Sequence, residues 1–164
     1  MRKIFFLSAL FIFFSCSNDN DNQNCLTIDN RAVQTTWKLI SIKNDAGNEI
    51  ANDCELQNGL IVEKYDPKIV DPFEQDKAIL TEGRMENSEC QTVTMNNVSW
   101  NQFGDRLSIH TSDSHYYYNY LMERVNGNSY MYLTLTSYED GTGSHIIEEL
   151  KTLKYQCENI EYFD

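Results

Sequence analysis

The stretch from Tyr116 to Ser137 constrains the fold of this chain more than any other part of it. Two runs, Tyr116 to Val125 and Tyr130 to Ser137, are rich in Tyr, Leu, Thr and Val and flank the dipeptide Asn126-Gly127. Aromatic and β-branched side chains suit a pleated surface. Asn-Gly tolerates the two left-handed backbone positions that a tight two-residue turn requires. The pair therefore predicts a β-hairpin, and weaker versions of the same signal recur along the chain. Trp37, Leu39 and Ser41 alternate with Lys38, Ile40 and Ile42, and Leu60 to Val62 is a short apolar strand core. Ala78 to Thr81, Gln91 to Trp100, and Arg106 to Thr111 read as further strands, the last with Leu107 and Ile109 on one face. His145 to Tyr155 closes the set, with Ile147, Leu150 and Leu153 as candidates for burial. Turn residues separate these runs at Asn44 to Asp53, Gly83 to Glu89, Asn101 to Asp105 and Glu139 to Ser144. Tyr65 to Gln75 holds both prolines, Pro67 and Pro72, and reads as a long connection. About eight strands at a spacing of roughly 8–12 residues predict an all-β sandwich or barrel. A single short helix is expected at Leu26 to Thr36, where Leu26, Ile28, Ala32 and Val33 make a weak apolar face. Strands do not alternate with helices, so a parallel sheet is not expected, and Gly-rich phosphate loops are absent.

The first sixteen residues have a different character. Arg2 and Lys3 precede an apolar run from Ile4 to Phe14 that is too short to span a bilayer, and Ser15 stands directly before Cys16. This is the layout of an export signal with a cleavage site. The Ser15-Cys16 junction resembles a bacterial lipoprotein signal, although Phe13 and Phe14 replace the smaller or aliphatic residues usual there. The resemblance implies a lipid on the Cys16 thiol, cleavage before Cys16, and a mature protein held to the membrane by acyl chains. Residues 17–24, SNDNDNQN, contain no apolar side chain and are expected to form a flexible tether. A calcium loop would need Gly at its sixth position and Glu at its twelfth, where this chain has Asn24 and Asn30. The serine and acidic residues after Cys16 resemble the tethers of outer-membrane lipoproteins in Bacteroidetes-type bacteria. That implies a place on the cell envelope, at the outer membrane, facing either the periplasm or the cell surface. Residues 25–164 then form one domain, long enough to bury on the order of two thirds of its unfolded surface.

The whole chain carries 13 basic and 25 acidic residues, a net charge of −12. Loss of Arg2 and Lys3 with the signal makes the remainder more acidic still. Such a surface argues against nucleic acid and against electrostatic attraction to anionic lipid. Membrane association is therefore expected through the covalent lipid. With Cys16 assigned to the lipid, Cys25, Cys54, Cys90 and Cys157 remain. An even number in an exported chain reads as two disulfides, with three possible pairings. The nested arrangement, Cys25–Cys157 with Cys54–Cys90, would staple the domain termini together and clamp an internal segment. It is preferred because the termini of a barrel commonly lie close.

Several landmarks follow one another in a familiar order. They begin with Thr36-Trp37-Lys38-Leu39-Ile40-Ser41 and Cys54-Glu55-Leu56-Gln57-Asn58-Gly59-Leu60-Ile61-Val62. Cys90, Val98-Ser99-Trp100 and Gly104-Asp105-Arg106-Leu107-Ser108-Ile109 come next. Tyr120-Leu121-Met122-Glu123-Arg124-Val125 and Tyr132-Leu133-Thr134-Leu135 complete the series. The arrangement resembles the lipocalin-like lipoproteins of Bacteroidetes-type bacteria over roughly Thr35 to Tyr155. Thr35 departs from the Gly of the lipocalin Gly-x-Trp, and the connection at Tyr65 to Gln75 is long. The resemblance implies an all-β fold: an antiparallel lipocalin-like barrel of about eight strands with an interior cavity, preceded here by the short N-terminal helix.

Candidate chemistry is sparse. Tyr116, Tyr118 and Tyr120 share one strand face with Met122, and the resemblance places that face inside the barrel. Three tyrosines in a cavity offer flat apolar faces and hydroxyl donors, suited to a small apolar or amphipathic ligand. Plain filling of the core of a small barrel is the more ordinary role for such residues. Trp37 is expected to cap one end of the barrel, and Trp100 either plugs the core or sits at the rim. His110, His115 and His145 lack metal-ligand spacing, so they read as surface residues and no metal or cofactor is expected. Glu139-Asp140 and Glu148-Glu149 fall in or beside turns and read as solvated. No GxSxG elbow supports a nucleophile, so an envelope hydrolase is the least favoured reading and an enzyme is not expected. The favoured function is ligand binding by a lipid-anchored barrel. The rival is a protein-interaction module, an inhibitor or an adhesion component, working through the rim or loops with a partner the sequence does not name.

The signal generates the first prediction. Cys16→Ala should release the protein from the membrane fraction or leave it unprocessed. Membrane association and mature mass unchanged in the variant would refute lipidation of Cys16.

Overall fold

The computed structural model describes residues 33–64 and 76–162. The signal segment with Cys16, the tether 17–24, Cys25, most of the expected helix and the connection at Tyr65 to Gln75 lie outside the described residues. The described chain is almost entirely strand. In order these are β1 (Val33–Asn44), β2 (Gly59–Lys64), β3 (Lys77–Glu86), β4 (Glu89–Phe103), β5 (Arg106–His110), β6 (His115–Val125), β7 (Asn128–Asp140), β8 (Gly143–Ile146) and β9 (Lys151–Tyr162). A single 3-10 turn, Glu55–Gln57, lies between β1 and β2. Among the described residues no helix is long and apolar enough to cross a membrane.

All the pairings are antiparallel, and they close on themselves. Each of β1 to β7 pairs with the next, and β9 lies between β7 and β1, so eight strands make a ring. β8 pairs with β7 over Ser137–Asp140, and β9 pairs with the same strand over Tyr130–Thr134. The two therefore act as one interrupted strand along a single edge of β7. This refines the expected run from His145 to Tyr155: the chain breaks over residues 147–150, and Ile147, Leu150 and Leu153 are only half-buried.

Turn chemistry sets the register. Asn126 and Gly127 have φ of 52° and 85°, the two left-handed positions of a type I′ turn, and Val125 faces Asn128 across it. Asn87 and Ser88, with φ of 50° and 69°, form a second such turn between Glu86 and Glu89. The expected turn at Gly83 to Glu89 is thus narrower, because β3 continues through Gly83 to Glu86. The expected helix is corrected at its C-terminal end, since Val33 to Thr36 belong to β1. There Val33, Thr35 and Trp37 alternate inward, and the Trp37 indole N–H donates to the Thr35 hydroxyl at 2.9 Å. A run with β-branched residues at three of its four positions suits a strand better than a helix.

One face of every strand in the ring meets in a single core. Trp37, Leu39, Leu60, Val62, Ala78, Val98, Trp100, Leu107, Ile109, Met131 and Leu133 are buried together there. Bulges adjust the alternation. Ile40 is the extra residue between Leu39, which faces Tyr155, and Ser41, which faces Lys154. Ile42, opposite Leu153, therefore continues the inward row, and the simple Trp37–Leu39–Ser41 alternation ends at Leu39.

The ring has two distinct ends. The start of β1, the end of β9 and the β4–β5 and β6–β7 hairpins share one end, where Val33 faces Tyr162. The other end carries the β1–β2 connection and the β3–β4 hairpin. There Asn52 and Glu55 cap the 3-10 turn reciprocally: the Asn52 side chain accepts from the backbone N–H groups of Cys54 and Glu55, and Glu55 accepts from that of Asn52. Cys54 is bonded to Cys90, with Cα atoms 5.4 Å apart. The bridge holds the connection against the hairpin so closely that a Cβ on Gly83 would collide with the Cys54 carbonyl. The other expected bridge, Cys25–Cys157, has its first member outside the described residues.

The Cys54–Cys90 bridge closes a loop with a sequence separation of 36. Replacing both residues with Ala should lower unfolding free energy by about 2–4 kcal/mol through the freed unfolded chain. Urea titration of the wild type and the double variant checks this, and identical midpoints would contradict it.

Candidate functional site

Three of the four tyrosines of β6, Tyr116, Tyr118 and Tyr120, face the interior. Tyr120 is buried, and Tyr116 and Tyr118 are half-buried against the core with Met122. On the opposite face Asn119 and Leu121 are exposed, and the Tyr117 hydroxyl donates outward to Glu139 at 3.3 Å. The partner strand completes the apolar wall, with Leu135 opposite Tyr118, Leu133 opposite Tyr120 and Met131 opposite Met122. Tyr116 stacks on Tyr138, their ring centroids 6.2 Å apart.

Other residues extend the stripe. Trp100 is fully buried and meets Tyr120 edge-on, with centroids 6.4 Å apart. It is a core residue rather than a rim aromatic. Trp37 is also fully buried. Tyr155, on β9, is buried in the same core. Glu82 continues the inward row of β3 begun by Ala78 and Leu80, and Arg84 donates to its carboxylate at 2.6 Å. The interior therefore changes character along its axis. It is apolar around Val98, Trp100 and Leu107, where Tyr120 also packs, and toward the disulfide-bearing end it carries Tyr116, Tyr118 and the half-buried Glu82, with Arg84 exposed beside it.

Burial governs the ionisation of these phenols. It raises the pKa of Tyr118 above the usual tyrosine range, and nearby Tyr155, Tyr116 and Glu82 add to the effect. Burial alone raises Tyr120, and burial followed by Glu82 raises Tyr155. All three stay protonated donors over any physiological pH. Two buried donors have no hydrogen-bond partner among the described residues, the Trp100 indole N–H and the Ser129 hydroxyl. Such a group costs about 1–3 kcal/mol until an acceptor reaches it.

Two of the three histidines lie away from the stripe. His110 and His115 stack on the outer face with centroids 4.2 Å apart, and burial followed by the neighbouring His115 lowers the pKa of His110. His145 stacks on Tyr138 and lies 3.3 Å from Asp140. The Asp140 carboxyl is held down to about 2, chiefly by the Thr142 hydroxyl and backbone N–H and then by His145. Among the described residues no group of three or more His, Cys, Asp or Glu is arranged to hold a metal. Neither a known family model nor any curated protein sequence matches this chain.

Sequence parity found the β6 stripe, but it missed Tyr155, Glu82 and Arg84. Tyr155 stands in the run Lys151-Thr152-Leu153-Lys154-Tyr155-Gln156, a pattern that leaves its inward side ambiguous. A charged pair on an inward face looks like a solvated edge until the long β3–β4 hairpin is recognised.

The raised phenols make a pH prediction. Their folded pKa values exceed the unfolded value near 10, so the stability they contribute is complete below about pH 10 and is lost as pH rises through the folded values. Alkaline titration of tyrosinate absorbance should show a fraction that ionises only with unfolding, as followed by circular dichroism. All tyrosines ionising in one step while the fold persists would contradict this.

Proposed function

We propose that this chain is a lipid-anchored, lipocalin-like barrel of the cell envelope that binds a small apolar or amphipathic ligand inside the ring. The observation that carries the reading is the inward stripe Tyr116–Tyr118–Tyr120, continued by Trp100 and Tyr155. Aromatic walls bind the apolar body of a ligand, and protonated phenols with an unanswered indole N–H favour one that brings its own acceptors. The closed ring of eight antiparallel strands has the architecture such binding needs, because its interior is shielded by paired backbone on every side. The end with Glu82, Arg84 and the Cys54–Cys90 clamp is the polar mouth in this reading, and the apolar end is the closed floor. The Cys16 lipid would hold the protein at the outer membrane.

Native mass spectrometry of the full chain purified from its own host tests the reading. A retained small molecule, lost in Tyr118→Ala, is the expected result. Dodecanoate should also perturb tryptophan emission in the wild type through Trp100 and bind at least about tenfold more weakly to the variant. No retained molecule together with no response to dodecanoate would refute interior binding.

A further inference from the structure

The outer face of β4 to β7 carries a concavity, lined mainly by outward-facing residues and bordered at its base by Leu107 and Tyr118. It measures about 820 Å³, within the roughly 300–1,000 Å³ typical of small-molecule sites. The strand register builds it. Asn101 on β4 faces Ser108 on β5, Ser108 faces Tyr117 on β6, and Tyr117 faces Ser137 on β7. The neighbouring row runs from Phe103 through Arg106 to Asn119. These positions alternate with the inward Trp100, Leu107, Ile109 and Tyr118, so their side chains project outward. A bulge opposite Tyr117 and Tyr118 inserts Thr136 into β7, and the Thr136 hydroxyl donates to the Tyr117 carbonyl at 2.9 Å. Bulges bend a strand and re-aim its side chains, which accounts for a hollow on a face that would otherwise be convex.

The chemistry of the hollow is specific. None of the hydrogen bonds within the described residues uses the side chains of Asn101, Ser108, Asn119 or Ser137, or the Arg106 guanidinium. Their donors and acceptors are open toward the concavity. Tyr117 is different: Glu139 accepts from its hydroxyl, and Ser144 donates to the same carboxylate at 3.1 Å, which fixes the ring at the centre. Phe103, at the rim, is 89% exposed. An aromatic ring held open to water beside amides and hydroxyls has no folding role to explain it.

We infer that this face is a binding site for a short neutral oligosaccharide. Sugar rings present vicinal hydroxyls that both donate and accept, which matches side-chain amides and hydroxyls. They also present an apolar C–H face, which matches Phe103 and Tyr117. Arg106 and Glu139 oppose one another in charge, and the chain as a whole is acidic, so the face does not select an anion. A peptide strand is disfavoured too. β5 and β6 are paired on both sides across these rows, so the centre of the face offers no free backbone edge.

The test is an array of neutral, sialylated and sulfated glycans probed with the full chain, followed by calorimetry with the neutral oligosaccharide that gives the strongest signal. Binding to a neutral glycan is expected, with affinity falling at least about tenfold in Phe103→Ala and in Asn119→Ala. Both substitutions are at exposed positions, and circular dichroism verifies that each variant is folded. The interior variant Tyr155→Phe, outside the lining of this hollow, should bind the glycan as the wild type does, which separates this site from the ligand inside the ring. No neutral glycan bound at about 1 mM, binding confined to sulfated or sialylated glycans, or neutral-glycan binding unaffected by either outer substitution would overturn the inference. A protein partner captured through Phe103 with no glycan bound would overturn it as well.

Discussion

Closure of the sheet by β9 is the constraint on which the rest depends. Lys151–Tyr162 lies between β7 and β1, and it removes the two edges that the meander of seven preceding strands would leave. An open sheet can bury one face only against another layer. The described residues supply no helix for that purpose, so the sheet covers its own apolar face by curling. Once it is closed, each side chain is committed either to the interior or to the outside. Slipping one strand by a residue would exchange those sets, and so the bulges at Ile40 on β1 and Thr136 on β7 decide which side chains reach each face. The first keeps Ile42 in the core. The second keeps Ser137 opposite the outward Tyr117 and Tyr138 opposite the inward Tyr116.

The two faces created in this way differ in what they ask of a ligand. Inside, burial keeps Tyr118, Tyr120 and Tyr155 protonated and leaves the Trp100 indole N–H without an acceptor. A ligand there would displace little water and meet mostly ring faces. Outside, Asn101, Ser108 and Asn119 stay solvated, and a ligand must replace the water it displaces bond for bond. The clamp of Cys54 on Cys90 fixes the β1–β2 connection at one end and leaves the outer face untouched.

Much of this was legible in the sequence, for identifiable reasons. Asn126-Gly127 specified its turn because few other dipeptides accept two positive φ angles. The inward parity of Tyr116, Tyr118 and Tyr120 could be read because Leu133 and Leu135 answer them from the neighbouring strand. Cys54 and Cys90 were paired on their nested order. The helix expected over Leu26 to Thr36 ends instead in strand at Val33 to Thr36, because a weak apolar periodicity of four residues cannot be told from alternation in so short a run. Bulges were illegible, since an extra residue leaves no compositional trace, and with them went the true inward row beyond Leu39. The outer hollow was hidden for the same reason: Asn101, Ser108 and Asn119 read as ordinary solvated positions until the register aligns them.

Ring closure also orders events in time. Hairpins such as β6–β7 join neighbours in sequence and can form as soon as both strands exist. The pairing of β1 with β9 joins the beginning of the domain to its end, and a chain dominated by such a contact folds slowly, on the order of milliseconds to seconds. Until the last strand arrives, β1 and β7 each present a bare edge to any neighbouring chain. A ribosome or translocation pore that delivers the chain from its N-terminus therefore hands over a molecule that cannot close its ring until β9 has emerged.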